Sequence, residues 1–290
     1  MQVELAVHTR DSIGEVPTWC AATRSLWWAD VGRSILHRFT PHDDLLRSWP
    51  IAQGLGSLAL CRSGLLLLAT RQGLFLFDPF SGGHEAFPTS MPLPPENHSF
   101  NGGTCDSAGH FWTGTLQNEL KPEGRIYRIA PSGSVEAVMQ GIIVPTGFCF
   151  APLGSRLHVA DGRRRRMEAI SLGQDGTPSG PAVIFTDGAA HEGNPDGACI
   201  DAEGCLWIAR YGGGQIVRHG ASGSVEEIVM LPVSHPTNLC FGGDDLRTLF
   251  ITTGQPSVLT PEQIALQPWA GGVLALRMDR PGILKPLFGN

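Results

Sequence analysis

Six residues with side chains suited to binding an ion stand at matching points of five among six short, similar phrases. Glu15 lies in GEVPTWC, Asn101 in FNGGTC, Thr146 in VPTGFC, Asp196 in NPDGAC, and Thr237 and Asn238 in HPTNLC. The remaining phrase, GLGSLALC, offers Gly54 to Ser57 at the same point. In each, polar residues lead into an apolar segment that closes on a cysteine. If the fold gathers these leading positions, two carboxylates and several neutral oxygen donors meet. That is the donor set of a hard divalent cation. Oxygen ligands suit calcium, magnesium and manganese, and a site of low coordination also takes zinc.

These residues are far apart in the chain, so only a repeating architecture can bring them together. Cys20, Cys61, Cys105, Cys149, Cys199 and Cys240, six of the seven cysteines, close the six phrases. A turn follows each, often with Gly, and then a second apolar segment: LWWAD, LLLAT, FWTGT, LHVAD, LWIAR and LFITT. A third segment follows in most repeats, as in ILHRF, GRIYRI and QIVRHG. The period of about 40–50 residues is that of propeller blades with four short strands each. Six repeats predict an all-β, six-bladed β-propeller, with residues 1–290 as a single domain. In a propeller the innermost strand of each blade runs along a central channel, so the polar leading residues surround one mouth. The first strand, around Val3 to Val7, is expected to complete the last blade and protect open strand edges. Thr260-Pro261-Glu262-Gln263 carries an N-cap, a Pro at the first helical position and a capping-box Gln. A short helix near residues 260–267 is expected within the last blade.

The bulk properties exclude several classes. The net charge of −6 argues against a nucleic-acid surface. No run of 18 or more apolar residues spans a membrane. MQVELAVHTRDSIGE lacks the apolar core of a secretory signal. Cysteines spread around a ring are too far apart to pair, and they read as small buried residues in a reducing, cytoplasmic setting. A propeller buries its core without a partner, so a monomer is expected.

The chain resembles the family of gluconolactonases, regucalcin (senescence marker protein) and luciferin-regenerating enzymes along essentially its whole length. The matching stretches are GEVPTW, FNGGTCDSAGHFWTGT, PDGACIDAEGCLWIARYGGGQIVR, FGGDDLRTLFITT and the closing PWAGGVLAL, which looks most like the bacterial sugar lactonases. The resemblance implies one divalent metal ion held by Glu15, by the residue at Thr146 and by Asp196, with Asp196 also as general base. It implies substrate contacts from Asn101, from the position of Ser99 and, by a looser match, from Glu119. Three positions depart from the family: Thr146 replaces a metal-binding Asn, Ser99 a substrate-binding Arg, and Gly102 an Asp. Thr146 keeps the charge of the site but has a shorter reach, which a bridging water could span. Ser99 lacks the bidentate donor of an Arg, so the pocket is expected to take a group less anionic, or bulkier, near that wall.

The implied function is hydrolysis of a sugar or sugar-like lactone, with no covalent intermediate. A cation on Glu15 and Asp196 would polarise the ester carbonyl and acidify water. Asp196 would take the proton, and Asn101 would orient the substrate. Two other readings are open: a propeller that binds a metal or small ligand without efficient turnover, and a hydrolase or isomerase of a non-sugar ester-like substrate. Fold alone does not choose between them. No G-x-S-x-G elbow surrounds Ser57 or Ser99, and no HxH or HExxH spacing suits zinc. His98 and His191 read as loop residues beside the motifs, and Glu192 as a solvated loop carboxylate. Arg163 to Arg166 read as a solvated hairpin turn, Trp112 and Trp207 as blade packing, and Asp106 and Asp201 as turn caps.

Overall fold

A computed structural model describes residues 2–52, 54–188, 191–255, 257 and 259–289. It is a six-bladed β-propeller of four-stranded antiparallel sheets. The first blade comprises Gly14–Cys20, Ser25–Asp30, Ile35–Thr40 and Leu45–Pro50, and the second Leu55–Leu60, Leu66–Thr70, Gly73–Phe77 and His84–Ala86. The third contains His98–Cys105, Phe111–Gln117, Gly124–Ile129 and Val135–Ile142. The fourth contains Pro145–Phe150, Arg156–Asp161, Arg166–Ser171 and Val183–Asp187, and the fifth Asn194–Ile200, Leu206–Tyr211, Gln215–His219 and Val225–Met230. Pro236–Gly242, Thr248–Thr253 and Val273–Arg277 form the sixth, and Val3–Val7 pairs with Val273–Arg277 to complete it. Inner strands of successive blades touch all round, and the first touches the sixth, so the ring closes.

Burial explains the repeat grammar. Second strands such as Leu66–Thr70 are buried along their whole length, and they read as unbroken apolar runs because both faces meet neighbouring blades. Outermost strands such as Leu45–Pro50 and His84–Ala86 are exposed and polar by comparison. Cys61, Cys105, Cys149, Cys199 and Cys240 are buried between blades, while Cys20, at the end of its strand, is half-buried. Burial pushes the thiols of Cys61, Cys149 and Cys240 up to about 12, so they are inert.

The helix in the sixth blade is shorter than expected, spanning Pro261–Ala265. Its capping box forms as the sequence predicts: Gln263 N–H donates to Thr260 Oγ1 at 3.3 Å, and Thr260 N–H to Gln263 Oε1 at 2.9 Å. Pro268 disfavours helical geometry at Gln267, which helps to end it early. Among the described residues, no helix is long and apolar enough to cross a membrane.

The C-terminal segment runs beneath the ring, on the face where the inner strands end. Ile283 N–H bonds to Ile200 O at 3.1 Å, Phe288 N–H to Leu60 O at 2.8 Å, and Gly289 N–H to Gly109 O at 3.0 Å. Between these ties Lys285 Nζ donates to Pro17 O at 2.8 Å.

Candidate active site

Every inner strand breaks register at the same place. The shifts fall between Glu15 and Thr18, Leu55 and Ser57, Asn101 and Gly103, Thr146 and Cys149, Pro195 and Ala198, and Pro236 and Asn238. A bulge bends its strand and re-aims the side chain beside it. Six such breaks around a channel turn the leading residues toward its mouth. Small residues make room: Gly147 approaches Asp196 O so closely that a Cβ there would lie 2.6 Å from it, and Gly102 lies against the Phe148 ring. Val16 holds φ 53°, a left-handed conformation that is rare for a β-branched residue. It directs its N–H to Glu15 Oε2 at 3.1 Å.

Glu15, buried, and Asp196, half-buried, come from the first and fifth blades and influence each other's charge. Burial raises the Glu15 carboxyl above its ordinary range, against hydrogen bonds from Asn238 and Val16 and the charge of Lys285. Asp196 is pushed well above its ordinary range, first by burial and then by the charge of Glu15, against hydrogen bonds from Thr146 and the Gly197 N–H. The two acids therefore repel each other where water screens them little. Thr146 Oγ1 donates to Asp196 Oδ1 at 2.8 Å, and Asn238 Nδ2 donates to Glu15 Oε2 at 2.9 Å. Asn238 Oδ1 accepts from Leu239 N–H, so its amide is committed to positioning Glu15. Asn101 Nδ2 donates to Pro145 O at 2.9 Å, which ties the third blade to the backbone beside Thr146.

Uncompensated negative charge, two carboxylates, a hydroxyl and an amide oxygen suit a divalent cation, so the residues fit the ion that the sequence implies. A second acidic cluster, Asp201, Glu203 and Cys205, has ligand atoms grouped closely enough for a metal. A cation already serves it: Arg218 Nε donates to Asp201 Oδ2 at 2.8 Å, Nη2 to Glu203 Oε2 at 2.5 Å, and Nη1 to Glu226. Asp201 also accepts from Trp207 Nε1, as Asp106 does from Trp112 Nε1. The recurring Asp thus fastens the recurring Trp as well as capping its turn.

Ser99 and Asn101 line a cavity of about 300 Å³ on the same face, with Ser34, Gly54, Arg71 and Leu116. Ser99 Oγ donates to Asn118 Oδ1 at 3.0 Å. Glu119 stands apart, exposed on a hairpin, with its carboxylate 2.7 Å from Lys121 Nζ. Larger cavities of about 590 and 730 Å³ contain none of Glu15, Asn101, Thr146 or Asp196. His98 is buried against Asn97 Oδ1, and His191 packs edge-on to His219. In the Arg163 to Arg166 hairpin, Arg164 is paired with Asp161 and Arg166 with Glu168, while Arg165 donates to His191 O.

Two neighbours of the site were not visible as such in the sequence. Tyr211 ends the second strand of the fifth blade; burial first, and then the charges of Asp196 and Glu15, push its hydroxyl up to about 12. It therefore stands by the carboxylates as a neutral phenol. Arg210, fully buried, donates to the carbonyls of Gly188, His191, Glu192 and Gly193, holding these four residues ahead of Asp196. An Arg after LWIA carried a signal, since a buried cation needs partners, but those partners are backbone atoms with no residue-type signature.

Residues 13–255 match the family described as SMP-30/gluconolactonase/LRE-like region. The chain belongs to this family. Among its relatives is a 6-deoxy-6-sulfogluconolactonase of Pseudomonas putida, 32% identical over 99% of each chain. An L-arabinolactonase of Azospirillum brasilense is 29% identical, with 100% of this chain and 96% of the relative covered. Among solved structures, a calcium-binding regucalcin of Agrobacterium tumefaciens superposes with a TM-score of 0.92 at 26% identity, covering 98% of this chain and 97% of the other.

Proposed function

We propose that this family member is a metal-dependent lactonase that opens a sugar lactone by water attack, with Asp196 as general base. The observation that carries this reading is the convergence of two carboxylates: Asp196 bonds to Thr146, Glu15 bonds to Asn238, and Gly197, next to Asp196, packs directly against Asn238. The names of the lactonase relatives support sugar lactones as the substrate class. Glu15, Thr146 and Asp196 would hold the ion, with Asn101 facing the substrate. A cation there supplies Lewis acidity toward the ester carbonyl and offsets the repulsion between the two acids.

The remaining work falls to the chain's own groups. Thr146 engages Asp196 Oδ1, leaving Oδ2 to accept the proton of an attacking water. Asn238 and the Val16 N–H both engage Oε2 of Glu15 and hold that side chain in place. Asn101, anchored on Pro145 O, has an amide oxygen with which to orient the sugar hydroxyls. Once the ring opens, the proton on Asp196 returns to the departing alkoxide.

Elemental analysis of protein purified without chelator, run beside a sugar-lactone panel, tests this reading. About one ion per chain, lost in Glu15→Gln, is expected, and Asp196→Asn should lower kcat by about 10²–10⁴-fold. A chain that binds no calcium, manganese, magnesium or zinc, or an Asp196→Asn variant of full activity, would refute it.

A further inference from the structure

Arg71 follows the second strand of the second blade, Leu66–Thr70, in the hairpin that leads to Gly73–Phe77. Such hairpins stand on the face where the inner strands begin. Arginines in the corresponding hairpins of other blades have protein partners: Arg33 bonds to Asp30, Arg164 to Asp161, and Arg165 to His191 O. Among the described residues, no carboxylate pairs with Arg71.

An exposed guanidinium without a carboxylate is common in water and by itself indicates nothing. The placement of this one is the informative part. Its aliphatic stem lies over Gly54, where an added Cβ would come within 3.2 Å of Arg71 Cγ and Cδ, and its own N–H bonds to Gly54 O at 3.2 Å. The glycine, at φ 74°, leaves room for that stem. Arg71 lines the same cavity of about 300 Å³ as Ser99 and Asn101. No acidic residue lines this cavity, and Arg71 is its one charged side chain among the described residues. Its volume is at the small end of ligand pockets, about 300–1,000 Å³. Asn101 connects this cavity to the acidic centre, since it bonds to Pro145 O beside Thr146, and Thr146 bonds to Asp196, whereas Arg71 enters from the second blade.

We propose that Arg71 forms an anion-recognising subsite, so that the preferred lactone carries a carboxylate, sulfonate or phosphate at its end remote from the ring ester. The proposal rests on the lactonase reading above and adds the substrate class. It reverses the expectation drawn from Ser99 alone: the charge missing from the third blade is supplied by the second. A planar guanidinium matches two oxygens of such a group through parallel hydrogen bonds. Because the group is open to water, its contribution falls with ionic strength.

The test compares kcat/KM on a neutral aldonolactone with its terminal carboxylate, sulfonate and phosphate analogues, using the metal-loaded enzyme. The parent should prefer one of the anionic forms, and the anionic-to-neutral ratio should fall about 10–100-fold in Arg71→Gln. Arg71→Lys should recover part of it, and added salt should lower the parent's ratio toward that of the variant. A parent that prefers the neutral lactone, or a ratio that is the same in Arg71→Gln, overturns the subsite. If the parent hydrolyses no lactone, the lactonase reading fails on its own. Calorimetric titration with the corresponding open-chain sugar acids then decides the subsite: affinity lost in Arg71→Gln upholds it, and affinity absent or unchanged overturns it.

Discussion

Replacing Gly197 with Ala should disable the site from behind, without altering any residue that contacts the ion or the substrate. An added methyl would lie 2.0 Å from Asn238 Cγ, 2.2 Å from its Oδ1 and 2.4 Å from its Cα. Carbon atoms in contact sit about 3.5–4.0 Å apart, so Asn238 must retreat by about 1 Å or more. Its Cα belongs to the inner strand Pro236–Gly242, held in register against Thr252, so a rotamer change alone cannot relieve the overlap. Retreat breaks the 2.9 Å hydrogen bond from Asn238 to Glu15 Oε2. Overpacking costs about 1–3 kcal/mol, and losing a hydrogen bond to a charged group about 1.5–3 kcal/mol. Together these give about 3–6 kcal/mol of destabilisation. At about 2–4 °C per kcal/mol, calorimetry should record a Tm lowered by about 6–24 °C, and titration a weaker hold on the divalent ion. Gly180 is the control, since a Cβ there meets nothing within 4 Å, and Gly180→Ala should stay within about 1 kcal/mol of the parent. A Gly197→Ala protein melting within about 2 °C of the parent, with equal metal affinity, would refute the steric reasoning and the positioning role of Asn238.

Thr146→Val removes the hydroxyl that donates to Asp196 Oδ1; metal affinity or turnover should fall about 10–100-fold, and parental values would show that the hydroxyl does nothing there. Burial and the charge of Glu15 raise the Asp196 carboxyl in the folded protein. Its contribution to stability is therefore present below the unfolded carboxyl range and is lost as pH rises through the folded value. In chelator, the Tm of Asp196→Asn minus that of the parent should grow from about pH 4.5 to 8; a flat or falling difference contradicts the assigned direction. Phe288 is fully buried and meets Phe87 edge-on at 5.4 Å between ring centroids. Phe288→Ala should cost about 3–5 kcal/mol in urea unfolding, and a cost under about 1 kcal/mol would mean that the C-terminal segment is not part of the core.

The sequence by itself determined the ring. Strand periodicity, turn glycines and a cysteine at one point of each phrase are local signals, and repetition multiplies them until one closed arrangement of blades satisfies them all. It also marked Glu15, Asn101, Thr146 and Asp196, because equivalent positions of a repeat must meet around the axis. Its helix was legible through the capping box at Thr260 and Gln263, although the end was not, since the stop depends on how the chain re-enters the blade. Tertiary structure decided what stands between those residues. Asn238 supports Glu15 only because the sixth blade closes against the first, and Thr146 reaches Asp196 only across the interface of the fourth and fifth. Tyr211, Arg210 and Arg71 have no motif of their own. The environments of Tyr211 and Arg210 come from burial, and the placement of Arg71 from the cavity its hairpin borders, and both depend on distances that no periodicity in one chain encodes.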